Sequence, residues 1–282
     1  MTAAGIPLRR LAGGTRVGVL TLVALVVVGA PIWVVIVNSL KPYRETVSPS
    51  LRFPETWMAV ENYGVVFAEG ELVRGFLNNA IVLAIALPLI LVLSAAASWA
   101  MVRSSSRLLT PLRYAMLVGL VVPPAIVATI FTLKRLGIYG GLLGLALFYS
   151  ALFIPLGVFL MIGFIRTIPR HLEEAARIDG ASNLDILVRI IIPLLRPALI
   201  TTTVIVMVAV WNDFLNPFML LNDPDNNTLI LSLFRFATGS TAAASYKWNL
   251  VFADVVVTSV PMIAIFYFVQ KYMVHGLSGT ER

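Results

Sequence analysis

Six apolar stretches, each long enough to cross a bilayer as a helix, constrain this 282-residue chain more than any motif does. A hydrocarbon core takes about 20 apolar residues in helical form. The stretches are 17–40, 80–102, 112–133, 142–165, 194–221 and 251–272. Only 12% of the residues are charged, and the mean hydropathy is +0.91. A soluble domain carries about twice that charge, so most of this surface must face lipid or other apolar partners. The sequence predicts an all-α integral membrane protein with six transmembrane helices.

The first stretch is too long for the apolar core of a signal peptide, and no small-residue cleavage pattern precedes Asn38-Ser39-Leu40-Lys41. Arg9, Arg10 and Arg16 lie before it, which predicts a cytoplasmic tail over 1–16. Six crossings return the tail 273–282 to the same side, together with loops 103–111 and 166–193. Thirteen Lys and Arg but only five acids then flank the inner face, against eight and nine outside. The bias obeys the positive-inside rule. It accounts for the net charge of +7 without nucleic acid as a partner.

The outer segment 41–79 mixes Pro42, Pro54, Trp57, Tyr63 and Phe67 with charges of both signs, which predicts packing on the outer surface or against an external partner. Arg103-Ser104-Ser105-Ser106-Arg107 reads as a topology anchor. Pro123-Pro124 and Pro155 fall inside the third and fourth stretches. They read equally as kinks around a cavity or as packing kinks. Lys134 and Arg135 sit in an outer turn against the charge bias, where snorkelling accommodates them.

Only 16 uncharged residues separate Arg196 from Asp213, and again Asp254 from Lys271. Sixteen helical residues rise about 24 Å, short of a core of about 30 Å. Asp213 and Asp254 therefore either end their helices at the interface or line a polar pathway. Asn222-Asp223-Pro224-Asp225-Asn226-Asn227 is a turn cluster, followed by Phe234, Phe236, Tyr246 and Trp248. This outer loop either caps the bundle or reaches a partner.

The most charged interruption lies between stretches four and five. Thr167-Ile168-Pro169 predicts a helix start. Glu173 and Glu174 complement the helix dipole, and Gly180 is placed to end the helix in a left-handed position. Ser182-Asn183-Leu184-Asp185 predicts a capping-box start for a second helix running past Pro193 and Pro197. Leu172, Ala175 and Ala176 share one face, where the small alanines admit a close neighbour.

Chemistry is scarce elsewhere. There are no cysteines and two histidines, His171 and His275, so neither a disulfide nor a histidine- or cysteine-based metal site is expected. No G-x-x-x-x-G-K-[ST] sequence occurs, so the chain has no phosphate-binding loop of its own. No Ser–His pair stands at membrane depth, which counts against an intramembrane enzyme.

Glu174-Ala175-Ala176, Gly180, Ile190, Ile192 and Pro193, in that spacing, resemble the EAA loop of ABC importer permeases, with isoleucine at 192 where leucine is usual. Further segments resemble carbohydrate importers of the maltose-permease type, and the second permease of the pair. They are Asn38-Ser39-Leu40-Lys41-Pro42 with Glu45, Glu61-Asn62-Tyr63, Phe76-Leu77-Asn78-Asn79, Trp211-Asn212-Asp213-Phe214-Leu215-Asn216-Pro217, Pro261, and Gln270-Lys271-Tyr272 with Gly276-Leu277. Asp254 stands where that family has a small residue, and Gly279-Thr280-Glu281-Arg282 replaces its usual tail.

The resemblance implies the type I, MetI-like permease fold with both termini cytoplasmic, in a bacterial or archaeal cytoplasmic membrane. It implies a non-catalytic subunit binding no cofactor, with ATP and Mg held by two partner ATP-binding subunits. A second permease and an extracytoplasmic solute-binding protein complete the assembly. Residues 166–193 would be the coupling loop, with Glu173, Glu174, Ala175, Ala176, Asp179 and Gly180 facing the ATPase. Sugar-binding chemistry makes Asn79, Trp99, Tyr149, Trp211, Asn212 and Asp213 candidates for a substrate pathway. The competing role for each is interface anchoring or interhelical bonding. By position, Asp223, Asp225, Asn226 and Asn227 are candidates for contact with the binding protein. The competing function is an ion-coupled secondary transporter using Asp213 and Asp254.

Overall fold

The computed structural model describes residues 8–104, 106–107, 109–239 and 247–277, with side chains except at 8–17, 265 and 268–277. The expectations for residues 1–7, Tyr246 and the tail from 278 lie outside the described residues. In chain order the helices are α1 (Leu8–Ser39), α2 (Tyr43–Thr46), α3 (Ala59–Glu69), α4 (Leu72–Arg103), α5 (Leu109–Val121), α6 (Ile126–Arg135) and α7 (Leu142–Thr167). They continue with α8 (His171–Ile178), α9 (Asn183–Leu194), α10 (Arg196–Trp211), α11 (Leu215–Leu220), α12 (Leu229–Gly239) and α13 (Trp248–Leu277). Among the described residues the regular structure is helical, apart from an isolated bridge between Gly140 and Leu221.

Three unbroken helices are long and apolar enough to cross a membrane: Gly18–Ser39 of α1, α4 and α7. The stretch 112–133, expected as one helix, is instead α5 and α6 joined at a 118° bend. Pro123 and Pro124 lack amide donors, and Pro123 disfavours helical backbone at Val122, so the helix ends at Val121. The stretch 194–221 also differs from expectation. Its helix α10 stops at Trp211 and meets α9 at a 74° bend. Residues Leu187–Ile191 within α9 form a π-helical turn. The second stretch starts earlier than expected, at Leu72, so Asn78 and Asn79 lie well inside α4.

The chain divides into two compact units. The unit formed by residues 72–232 and 261–282 is built on α4 packed along α7, with α5 and α10 laid against them. Gly157 of α7 makes the close approach possible. A Cβ there would collide with Ser94 Oγ, and Ser94 itself donates to the Ile154 carbonyl at 3.1 Å. Near the α8–α9 loop an apolar cluster collects Ala95, Met161, Ile165, Ile186, Ile191, Leu195 and Ala198. The turn after α6 is stitched to the chain after α11: Gly140 N donates to Leu220 O at 3.1 Å and Asn226 Nδ2 to Gly140 O at 3.3 Å. Lys134 lies over the Tyr139 ring, 4.9 Å from its centroid, which satisfies a cation for which the sequence suggested snorkelling.

The other unit comprises residues 1–71 and 233–260. Within it, the Asn38–Lys41 and Glu61–Tyr63 segments are bound together. Lys41, 1% exposed, donates to Asn38 Oδ1 at 3.2 Å and Ser50 Oγ at 2.9 Å. Asn62 Nδ2 donates to the carbonyls of Ser39 and Lys41, each at 2.9 Å. Asn249 Nδ2 then donates to Asn62 Oδ1 at 2.7 Å. The Glu45 carboxylate accepts from the amides of Glu55 and Thr56, and Trp33 meets Phe53 edge-on. The segment after α1 is thus folded by its own polar side chains.

Candidate functional site

The loop between α7 and α10 is built from its caps. Thr167, expected to start α8, instead belongs to the last turn of α7, where its hydroxyl donates to Phe164 O at 2.7 Å. Helix α8 begins at His171 without a side-chain cap. Its exit follows the expectation for Gly180, which has φ +84°. Ala181 N donates to Ala176 O at 2.9 Å and Gly180 N to Arg177 O at 3.1 Å, the paired bonds of a Schellman ending. No atom lies within 4 Å of a Cβ built on Gly180, so its backbone conformation, not space, requires glycine.

Helix α9 opens with a capping box. Ser182 Oγ accepts from Asp185 N at 3.2 Å, and the Asp185 carboxylate accepts from Ser182 N at 3.2 Å. The Ser182 hydroxyl also donates to Asp185 Oδ2 at 2.5 Å; this bond first, and then the one from the Ser182 amide, holds the Asp185 carboxyl below the ordinary carboxylate range, helped by Arg189. The cap and the glycine fix the two short helices as a preformed corner.

The two adjacent glutamates face opposite ways. Glu173 is buried, 5% exposed, and its oxygens accept from Arg103 Nε at 2.7 Å and Trp99 Nε1 at 3.0 Å. Arg103 Nη2 also donates to Ile168 O at 2.7 Å. Glu174, Ala175, Asp179 and Gly180 are exposed, while Ala176 leans on the apolar cluster. The most exposed large apolar side chains of this charged loop are Ile178, 87% exposed, and Leu184, 69%. Sequence reasoning treated Arg103 as a topology anchor and missed its pairing. Its place four residues after Trp99, on the same helical face, was the available signal.

The candidate pathway residues separate into groups. Trp99 belongs with Glu173. Tyr149 and Asp213 come together: the tyrosine hydroxyl donates to Asp213 Oδ2 at 2.8 Å, and Asn216 holds the same carboxylate through its amide and side chain. Asn212 points elsewhere, donating to Val208 O at 2.9 Å. Trp211 is buried edge-on to Phe76, with ring centroids 5.5 Å apart. Asn79 is buried, and its Oδ1 accepts from Leu229 N at 3.4 Å. Asn79 Nδ2 and Trp211 Nε1 find no acceptor among the described residues.

The 223–227 turn is held from inside. Asp223 caps a short 3₁₀ turn, Asp225 pairs with Arg74 at 2.5 Å, and Asn78 Nδ2 donates to the carbonyls of Asp225 and Asn227 at 2.8 and 2.9 Å. Asp223 and Asp225 remain exposed and Asn226 is half-buried, whereas Asn227 is buried and offers no surface to a partner. Asp254 is fully buried, with no partner for its carboxylate among the described residues. No group of three metal-ligating side chains occurs among the described residues.

Residues 63–279 match the family described as binding-protein-dependent transport system inner membrane component. The diacetylchitobiose uptake system permease protein NgcG of Streptomyces coelicolor is 30% identical over 260 residues, covering 91% of this chain and 85% of that protein. The melibiose/raffinose/stachyose import permease protein MelC of Bacillus subtilis is 30% identical over 269 residues, covering 93% and 95%. Among solved structures, a chain of a bacterial ABC transporter involved in the import of the acidic polysaccharide alginate superposes with a TM-score of 0.79. That match has 22% identity and covers 96% of this chain and 99% of the other, and it gives the fold.

Proposed function

This chain belongs to the family of binding-protein-dependent transport system inner membrane components, and from that membership we propose that it is the permease subunit of an ATP-driven sugar importer. ATP and Mg sit on two separate ATP-binding subunits. A related permease completes the membrane domain, and an extracytoplasmic binding protein delivers the solute. The α8–α9 loop faces the cytoplasm, as do both termini, and receives the motion of the ATPases. The substrate class follows the relatives, whose names specify di- and oligosaccharides.

The observation that carries this reading is the preformed corner at Gly180, which projects Glu174 and the exposed Ile178 from a charged loop. An apolar side chain that open to water, on a rigid turn, fits insertion into a cleft of another protein. Ion-coupled transport through Asp213 and Asp254 finds no support: the family match names a binding-protein-dependent system, and Asp213 is engaged by Tyr149 and Asn216.

The test is purification of the chain with its neighbours, followed by transport and ATPase assays of Glu174→Lys and Gly180→Val. Co-purification with a P-loop ATPase, with both variants losing transport and stimulated ATP hydrolysis, is the expected result. Undiminished transport at normal subunit levels refutes the coupling role.

A further inference from the structure

We infer that Glu173 is a positioning residue that fastens the coupling helix α8 to the end of α4 in the same chain, so that the two move as one body. The inference rests on the coupling role proposed for this loop and assigns a separate task to each of its adjacent glutamates. Glu174 is turned outward, and Glu173 is turned in.

Three donors support it. Trp99 Nε1 and Arg103 Nε each take one oxygen of Glu173, and Arg103 Nη2 takes the carbonyl of Ile168. Trp99 and Arg103 form the last turn of α4, and Ile168 begins the non-helical link between α7 and α8. Left alone, the link Ile168–Pro169–Arg170 is a hinge: Pro169 has no amide hydrogen to donate, and α8 has no side-chain cap. The Arg103 guanidinium closes that hinge at its start, and Glu173 closes it one turn later. Glu173 is buried and Arg103 largely so, with side chains 6% and 13% exposed. Separating it leaves a charge without compensation in a poorly hydrated place, so it resists opening. Motion delivered to α8 is therefore passed to α4 instead of being absorbed in the link. Helix α4 in turn packs along α7 through Ser94 and Gly157, so the displacement reaches the packed core of this unit.

The chain has no cysteines, so a pair of spin labels reports the relationship directly. His171→Cys on α8 and Leu93→Cys on α4 are both exposed sites outside the contact. Their separation is measured by pulsed electron resonance in the purified complex, without nucleotide and trapped with ATP and vanadate. A single distance that stays the same in both states is expected, and Glu173→Gln adds a second, longer population. Where Glu173→Gln does not accumulate, Trp99→Phe removes one donor and keeps the ring, and the same readout decides. A change of more than about 5 Å between the two states of the otherwise unaltered chain, or no added population in either variant, overturns the inference. The label pair also reads the grip in the chain purified alone, so loss of this contact and failure of the chain to engage an ATPase give different results.

Discussion

Tyr149 of α7 and Asp213 in the link between α10 and α11, far apart in sequence, meet at a 2.8 Å hydrogen bond. The tyrosine is 1% exposed, so its hydroxyl has no ready substitute for the carboxylate. Tyr149→Phe is expected to lower stability by about 2 kcal/mol, the scale of a hydrogen bond to a charged group. Thermal unfolding in detergent measures it. Asn216→Ala, which removes a side-chain donor to the same carboxylate, is expected to act in the same direction, and the two together to be less than additive.

Gly180 needs its left-handed backbone and nothing else, since its surroundings are open. Substitution is therefore expected to rank by tolerance of positive φ. Gly180→Asn is the mildest, Gly180→Ala costs about 1 kcal/mol, and the β-branched Gly180→Val costs more. Hydrogen exchange across 171–194 reads the order. Equal protection in all three variants would show that the corner does not depend on this conformation.

The Asp185 carboxyl is held below its ordinary value by Ser182, so its folded form binds a proton less readily than the unfolded chain. Its contribution is present above the unfolded value of 3.8 and is lost as pH falls through the lower folded value. The start of α9 is expected to fray in that acid window and to be insensitive to pH near neutrality. Exchange rates of the amides at the start of α9 against pH, in the parent chain and in Asp185→Asn, check both halves. The variant should start frayed and show no acid step.

At the α4–α7 crossing, Gly157→Ala is expected to be destabilising by about 1–3 kcal/mol, because the new methyl meets Ser94 Oγ and the Ser94 Cβ at 2.9 Å. Ser94→Gly should recover part of the loss in the double variant. Comparing the unfolding midpoints of the four chains gives the coupling.

How much of this was legible in the sequence depended on whether the signal was local. The capping box at Ser182 and Asp185 and the turn at Gly180 are short-range devices, and the structure has both. Pro123-Pro124 was visible as a disturbance, but a pair of prolines does not state its angle, and a 118° break replaced the expected span. The contacts of α4, α7 and α10 were not readable in advance. A helix that is apolar all round carries no amphipathic phase to say which residues face inward. Trp99 is a pathway candidate by residue type alone, and nothing in the sequence shows that its indole donates to Glu173. One residue of helical phase, about 100°, separates Glu173 from Glu174, and only packing decided which glutamate turned inward.

The corner between α8 and α9 has a thermodynamic consequence. Its shape is set inside the chain by the Schellman bonds, the Ser182–Asp185 box and the Glu173 contacts. Nothing in it waits for a visitor to give it form. A partner bound there, as proposed, would lose little conformational entropy on this side, so even a small contact area could hold. In the proposed coupling role the loop would act as a rigid key, leaving adjustment to the partner.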